Sequence, residues 1–135
     1  MTRAPEYWNK AKRYLSKKDK VMLALIKNYK SPSEITLTSR KDIFFSLCKS
    51  IIGQQISVAA ANSVFSKFKS KCGNKINAKV VSKLSNSQLK SCGLSRQKIS
   101  GIKNLSKQIL DKSFNPKLIS KMNDEEAIIY LSSLK

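Results

Sequence analysis

Residues 43–68, IFFSLCKSIIGQQISVAAANSVFSKF, constrain this chain more than any other stretch. Phe44, Leu47, Cys48, Ile51 and Ile52 recur at steps of three and four, which places one apolar stripe along a helix. Val58, Ala61, Val64, Phe65 and Phe68 repeat the pattern and predict a second helix, with Ser57 placed to cap its first free N–H groups. The small residues Ala59, Ala60 and Ala61 are expected to let this helix approach a neighbour closely. Between the two lies a polar corner, Gly53-Gln54-Gln55-Ile56-Ser57. Two adjacent glutamines end a helix whose preceding turns are almost wholly apolar. Taken alone, such a pair reads as a hydrogen-bonding helix end.

The other segments carry the same helical period. Residues 5–15 predict a first helix with Tyr7, Trp8, Ala11, Tyr14 and Leu15 on one side. Trp8 and Tyr14 have the rings to stack on bases, but their spacing favours a place in the core. Asp19 opens a second helix, to Tyr29, with Val21, Met22, Leu25, Ile26 and Tyr29 as its stripe. Lys17, Lys18 and Lys20 surround its start, where the helix dipole disfavours positive charge. Residues 30–41 lack a helical period and read as a loop, with Ile35 and Leu37 tucking onto the core. Gly73 and Asn74 break the chain after the central pair. Asn77 begins a short helix through Val80, Val81 and Leu84, which Ser85-Asn86-Ser87 interrupts; Leu89 belongs to a further turn. In Cys92-Gly93-Leu94-Ser95 a glycine cap is followed by an apolar contact and an N-cap serine. A long helix from Arg96 to about Lys112 carries Ile99, Ile102, Leu105, Ile109 and Leu110, and Gly101 within it is expected to permit close packing. Phe114-Asn115-Pro116 makes a turn before a short helix through Leu118, Ile119 and Met122. Asn123 caps the last helix, with Glu126 completing a capping box, and Ala127, Ile128, Tyr130, Leu131 and Leu134 form its apolar face. No strand period, internal repeat or low-complexity tract appears. The fold class is all-α, a bundle of about seven helices in one domain over residues 1–135, with an N-terminal helix pair (1–30) and a middle set (42–135).

Charge narrows the partners. Lysine and arginine number 27 against 8 acids, a formal net charge of +19. Nucleic acid is the usual counterpart of such an excess, and a skewed codon usage is the alternative origin. Only Arg3, Arg13, Arg40 and Arg96 are arginine. Lysine meets phosphate as a point charge, so the composition argues affinity and not sequence specificity. Cys48, Cys72 and Cys92 fit neither a disulfide framework nor zinc spacing, and histidine is absent. No metal and no cofactor is expected. No apolar run has signal-peptide or membrane-spanning length, which predicts a cytoplasmic protein without a membrane partner, at the nucleoid if the source is bacterial.

The central segment SIIGQQISVAAANSVFSKF resembles the middle helices of the helix-hairpin-helix DNA glycosylases, most closely the 3-methyladenine DNA glycosylase II type. Gly93-Leu94-Ser95-Arg96-Gln97-Lys98 is similar to that family's glycine–leucine–serine turn before a basic helix. FNPKLISKMNDEEAIIYLSSLK is similar to the segment leading into its hairpin, and residues 11–29 to its N-terminal helix pair. The resemblance thus covers essentially the whole chain. It implies an enzyme that flips an alkylated base out of duplex DNA and hydrolyses its N-glycosidic bond. It implies that Gln55, with Gln54 beside it, fills the vacated gap, and it groups Ile56 and Ser57 with them as DNA-binding residues. Arg96 and Lys98 become candidates for phosphate contact, with a solvated surface as the plainer reading. The four-cysteine cluster of the iron–sulfur relatives has no counterpart here.

Family members continue past a lysine like Lys135 into a Gly-Ile-Gly hairpin and then a catalytic aspartate. No catalytic residue is therefore assigned within residues 1–135. Asp111, Asp124, Glu125 and Glu126 fall at helix ends and match no catalytic position. The expectation is a truncated or split glycosylase, inactive alone, binding double-stranded DNA weakly and non-specifically, with a homodimer or a missing C-terminal half as partner. The alternative is a non-enzymatic basic helical module that binds nucleic acid or protein.

Overall fold

The computed structural model describes residues 5–29 and 41–134, so Ile35 and Leu37 lie outside the described residues. Among these the structure is all-helical: eight α-helices and one 3-10 helix, divided into two compact units. The first unit holds α1 (Trp8–Lys18) and α2 (Lys20–Asn28), which pack on each other. Asp19 ends one and starts the other. Its backbone N–H donates to the Leu15 carbonyl, and its carboxylate accepts from the N–H groups of Val21 and Met22 at 2.7 and 3.1 Å. The first helix therefore runs three residues further than its apolar spacing suggested. Lys17 and Lys18 occupy its last turn, where the dipole favours a cation, and not the start of α2. The apolar stripes expected here need correction: Tyr7 and Tyr14 beside or on α1, and Val21, Leu25 and Tyr29 at or beside α2, stand largely exposed, so Tyr14 is not a core residue.

The second unit contains α3 (Ile43–Gly53), α4 (Val58–Lys71), α5 (Ala78–Lys83), α6 (Asn86–Ser91), α7 (Arg96–Leu110), the 3-10 helix Pro116–Lys121 and α8 (Asp124–Ser132). Each α-helix here opens on a side-chain cap: Asp42, Ser57, Asn77, Ser85, Ser95 and Asn123. Ser85-Asn86-Ser87 proves to be a start as well as a break. Ser85 and Gln88 form a reciprocal capping box, which turns the Leu89 segment into the separate helix α6. The expected box of Asn123 and Glu126 is present at α8.

Helix α7 is the axis, packing against α3, α5 and α6. Its Ile99, Ile102 and Leu105 join Phe44, Cys48 and Ile52 of α3, Phe68 of α4 and Val81 of α5 in one core. Phe45 and Phe65 meet edge to face at 5.1 Å along the α3–α4 seam. Phe114 is buried and stacks on Tyr130 at 4.9 Å, while the Tyr130 hydroxyl accepts from the Asn115 N–H at 2.8 Å. In this unit two amphipathic readings need correction as well. Val58 points to solvent, Ala59 and Ala60 are exposed, and Ala61 is the one of the three alanines that is partly buried, with its Cβ 3.9 Å from where a Cβ on Gly53 would stand. On α8, Ile128 and Ile129 are exposed, and Tyr130, Leu131 and Leu134 supply the packing.

Candidate nucleic-acid interface

The corner between α3 and α4 projects from this core. Gln54 is extended, with φ −61° and ψ 134°, and Gln55 takes φ +60°. A left-handed backbone costs a non-glycine residue about 1–2 kcal/mol, so the fold must hold Gln55 there. Gln54, Gln55 and Ile56 are exposed. Ser57 faces the other way in function: its hydroxyl accepts from the Ala60 N–H at 3.2 Å and starts α4. A short loop thus runs from the buried Ile52 turn of α3 to the capped start of α4, with two amide side chains at its tip.

The start of α7 lies against this corner. Ile51, Gln54, Gln55 and Ile56 share a groove of about 500 Å³ with Ser95, Gln97, Lys98 and Gly101. Lys98 spans it. Its ammonium donates to the carbonyls of Ile52 at 2.7 Å and Gln54 at 2.9 Å, the free oxygens at the end of α3. The residue singled out as a phosphate contact therefore has two of its three N–H groups engaged inside the protein. Lys103, further along α7, does the same at the end of α5, donating to the carbonyls of Ser82 and Leu84. Arg96 stands apart from the corner. It lines an adjoining groove of about 720 Å³ with Asn86, Ser87, Lys90, Ser100 and Asn104, and only Ser95 and the turn of the helix connect the two.

Of the six sequence-derived site residues, the structure brings Gln54, Gln55, Ile56 and Lys98 to one groove. Ser57 becomes a cap, and Arg96 faces a second groove. Gln97 was not singled out, although its position beside Lys98 in the basic turn placed it within reach of the corner.

No carboxylate is among the described residues lining either groove. Asp42 caps α3, and Glu126 closes the box at α8. Asp111 accepts from the Ser113 hydroxyl and N–H, and these bonds lower its carboxyl below the ordinary value. Among the described residues no cluster of His, Cys, Asp and Glu is arranged to hold a metal ion. Nor is any described helix long and apolar enough to cross a membrane.

The described residues thus form an all-α core that presents a short polar corner beside a basic helix start. The model of the HhH-GPD superfamily of base excision DNA repair proteins matches residues 48–131, more than half of the chain. The chain belongs to that superfamily. Two solved structures share its backbone. One is the 3-methyladenine DNA glycosylase of Schizosaccharomyces pombe in complex with abasic DNA, with TM-score 0.81 and 23% identity, matched over 93% of this chain and 63% of that one. The other is a DNA-3-methyladenine glycosidase from Bacillus halodurans, with TM-score 0.69 and 20% identity, over 90% of this chain and 55% of that one. The chain thus spans little more than half the length of these structures. A search of curated protein sequences found no significant match. The match accounts for the ordered motifs, which a plain basic helical module leaves unexplained.

Proposed function

We propose that this chain is the wedge-bearing part of a 3-methyladenine-type DNA glycosylase. The complete enzyme would excise alkylated bases from duplex DNA by hydrolysing the N-glycosidic bond, in the compartment that holds the DNA. The observation that carries this reading is the Gln54–Gln55 corner, exposed, fixed in an unusual backbone conformation and set beside the basic start of α7. In this role Gln55 enters the stack where a nucleotide has left it, and Gln54 supports it against the opposite strand. Insertion matters because extruding a base costs a few kcal/mol of unstacking, and the inserted group restores part of it. The basic surface supplies phosphate affinity without base recognition.

The 135 residues by themselves would not catalyse excision. Glycosidic hydrolysis needs a carboxylate, or another general base, at the developing positive charge of the sugar, and among the described residues neither the groove at the corner nor the adjoining one is lined by a carboxylate. Self-association or a separate chain bearing the hairpin belongs to the same proposal. The test is incubation of the chain with duplex containing alkylated adenine, followed by cleavage at abasic sites. Background levels of strand breaks are expected. Turnover that persists through substitution of each acid in turn would defeat the assignment of catalysis to groups outside these residues.

A further inference from the structure

The corner is hydrogen-bonded to a residue more than forty positions away. Helix α3 ends at Gly53, and its last carbonyls have no partner within the helix. The chain then turns through Gln55 at φ +60°, a region that glutamine seldom occupies and that no local side-chain hydrogen bond of its own supports in the way asparagine or aspartate would. Lys98 meets both needs. Its ammonium bonds the Ile52 carbonyl, which closes the helix end, and the Gln54 carbonyl. That second oxygen belongs to the peptide plane joining Gln54 to Gln55. The orientation of this plane is set by ψ of Gln54 and φ of Gln55, so with α3 and α4 holding the flanking backbone, a bond to the oxygen constrains the two angles together.

Electrostatics agree with the geometry. Lys98 is the third residue of α7, and the Ser95 hydroxyl accepts its backbone N–H at 3.3 Å. A cation in a first helical turn is disfavoured by that helix's own dipole. The carboxyl-terminal end of α3 supplies the opposite sign, and the half-buried Lys98 spans the two. Its backbone is anchored by the buried Ile99 and Ile102 of the same helix.

We infer that Lys98 is a positioning residue: through the Gln54 carbonyl it holds Gln55 in the left-handed, outward conformation from which its side chain enters the duplex. The inference rests on the reading of the corner as a wedge, and it assigns Lys98 a task distinct from phosphate contact.

The test follows the backbone of Gln55 in the full chain by NMR. A residue near φ +60° gives a strong intraresidue amide–α-proton cross-peak. Wild type and Lys98→Arg, which keeps donors for both carbonyls, are expected to show it. Lys98→Met is expected to lose it, with a rise of tenfold or more in amide exchange over residues 53–57 and unchanged signals in the last turns of α7. Retention of the left-handed signature in Lys98→Met overturns the inference. Should Lys98→Met fold poorly, the Gln55→Gly background decides, because glycine adopts positive φ freely. Positioning through Gln55 predicts that the fall in melting temperature caused by Lys98→Met is at least halved there. An undiminished fall would show a helix cap and nothing more, and would overturn the inference. Binding to duplex with and without an abasic site separates this question from the wider one. Wild type should prefer the abasic duplex and Lys98→Met should not. A wild-type chain without that preference defeats the functional reading, while the NMR comparison still decides for or against Lys98.

Discussion

At the scale of single residues, the three cysteines show how burial converts a reactive group into a structural one. All three are free and buried. Removal from water pushes the Cys48 thiol up to about 12, with the nearby Cys72 adding to the effect, and burial pushes Cys72 up to about 11. Cys92 is raised by burial as well, against the pull of Lys71 and Lys67. A thiol raised in this way keeps its proton in the fold where the unfolded chain has already lost its own. For Cys48 the stabilising effect is complete below about pH 9 and falls away as the pH climbs towards 12, by at most about 1.4 kcal/mol per pH unit. Denaturant melts between pH 8.5 and 11 should show this decline, and Cys48→Ala should flatten it. A slope unchanged in the variant would mean that Cys48 does not titrate with folding. Sequence placed Cys48 in the core because it lies on a helical stripe. The burial of Cys72 and Cys92 had no such signal, since both sit at helix ends where the period gives out.

At the scale of elements, glycine separates what was legible from what was not. Gly93 was readable as a cap between two helices, and it does take φ +93°. A Cβ there would also lie 3.3 Å from Val64. Gly101 was expected to allow close packing, yet a Cβ at that site would meet only the Ile51 side chain, at 4.0 Å, an ordinary contact. Gly101→Ala should therefore stabilise the chain by about 0.5–1 kcal/mol, through the helical preference of alanine. Gly93→Ala should destabilise it by more than about 1 kcal/mol, because it adds backbone strain to crowding. Thermal melts of the two variants check both signs. Caps and breaks came through in the sequence because they depend on neighbouring residues: Asp19, Ser57, Asn77, Ser95 and Asn123 all stand where their side chains suggested. What did not come through depends on contacts between distant segments. Nothing near Lys98 in sequence announces its bonds to Ile52 and Gln54, and the exposed faces of Val58 and Ile128 follow only from which helix lies opposite.

At the scale of the whole molecule, the net charge of +19 is expected to act on two associations in opposite directions. Binding to duplex DNA releases counterions, so each phosphate neutralised should contribute about −0.9 to the slope of log K against log salt. A steep, sequence-independent fall in affinity with salt is expected by fluorescence anisotropy, and Gln55→Ala should scarcely change it on intact duplex. Self-association should respond the other way. Tyr7, Tyr14, Val21, Leu25 and Tyr29 on α1 and α2, and Ile128 and Ile129 on α8, present large apolar side chains to solvent. A fully exposed Val, Leu or Ile gains roughly 1.5–3 kcal/mol on full burial, an upper bound for these partly covered side chains, and exposed apolar surface on this scale marks contact sites or aggregation. Repulsion between two chains each carrying this charge opposes the contact at low ionic strength, and screening relieves it as the Debye length falls from about 30 Å at 0.01 M to 8 Å at 0.15 M. A dimer or higher oligomer is therefore expected to grow with both concentration and salt in sedimentation velocity. Val21→Lys and Ile129→Lys, at positions already exposed, should reduce it without lowering the melting temperature by more than the change a surface substitution normally brings. A chain that stays monomeric across the concentration series in high salt, with a cooperative melt, would show that these faces need no partner.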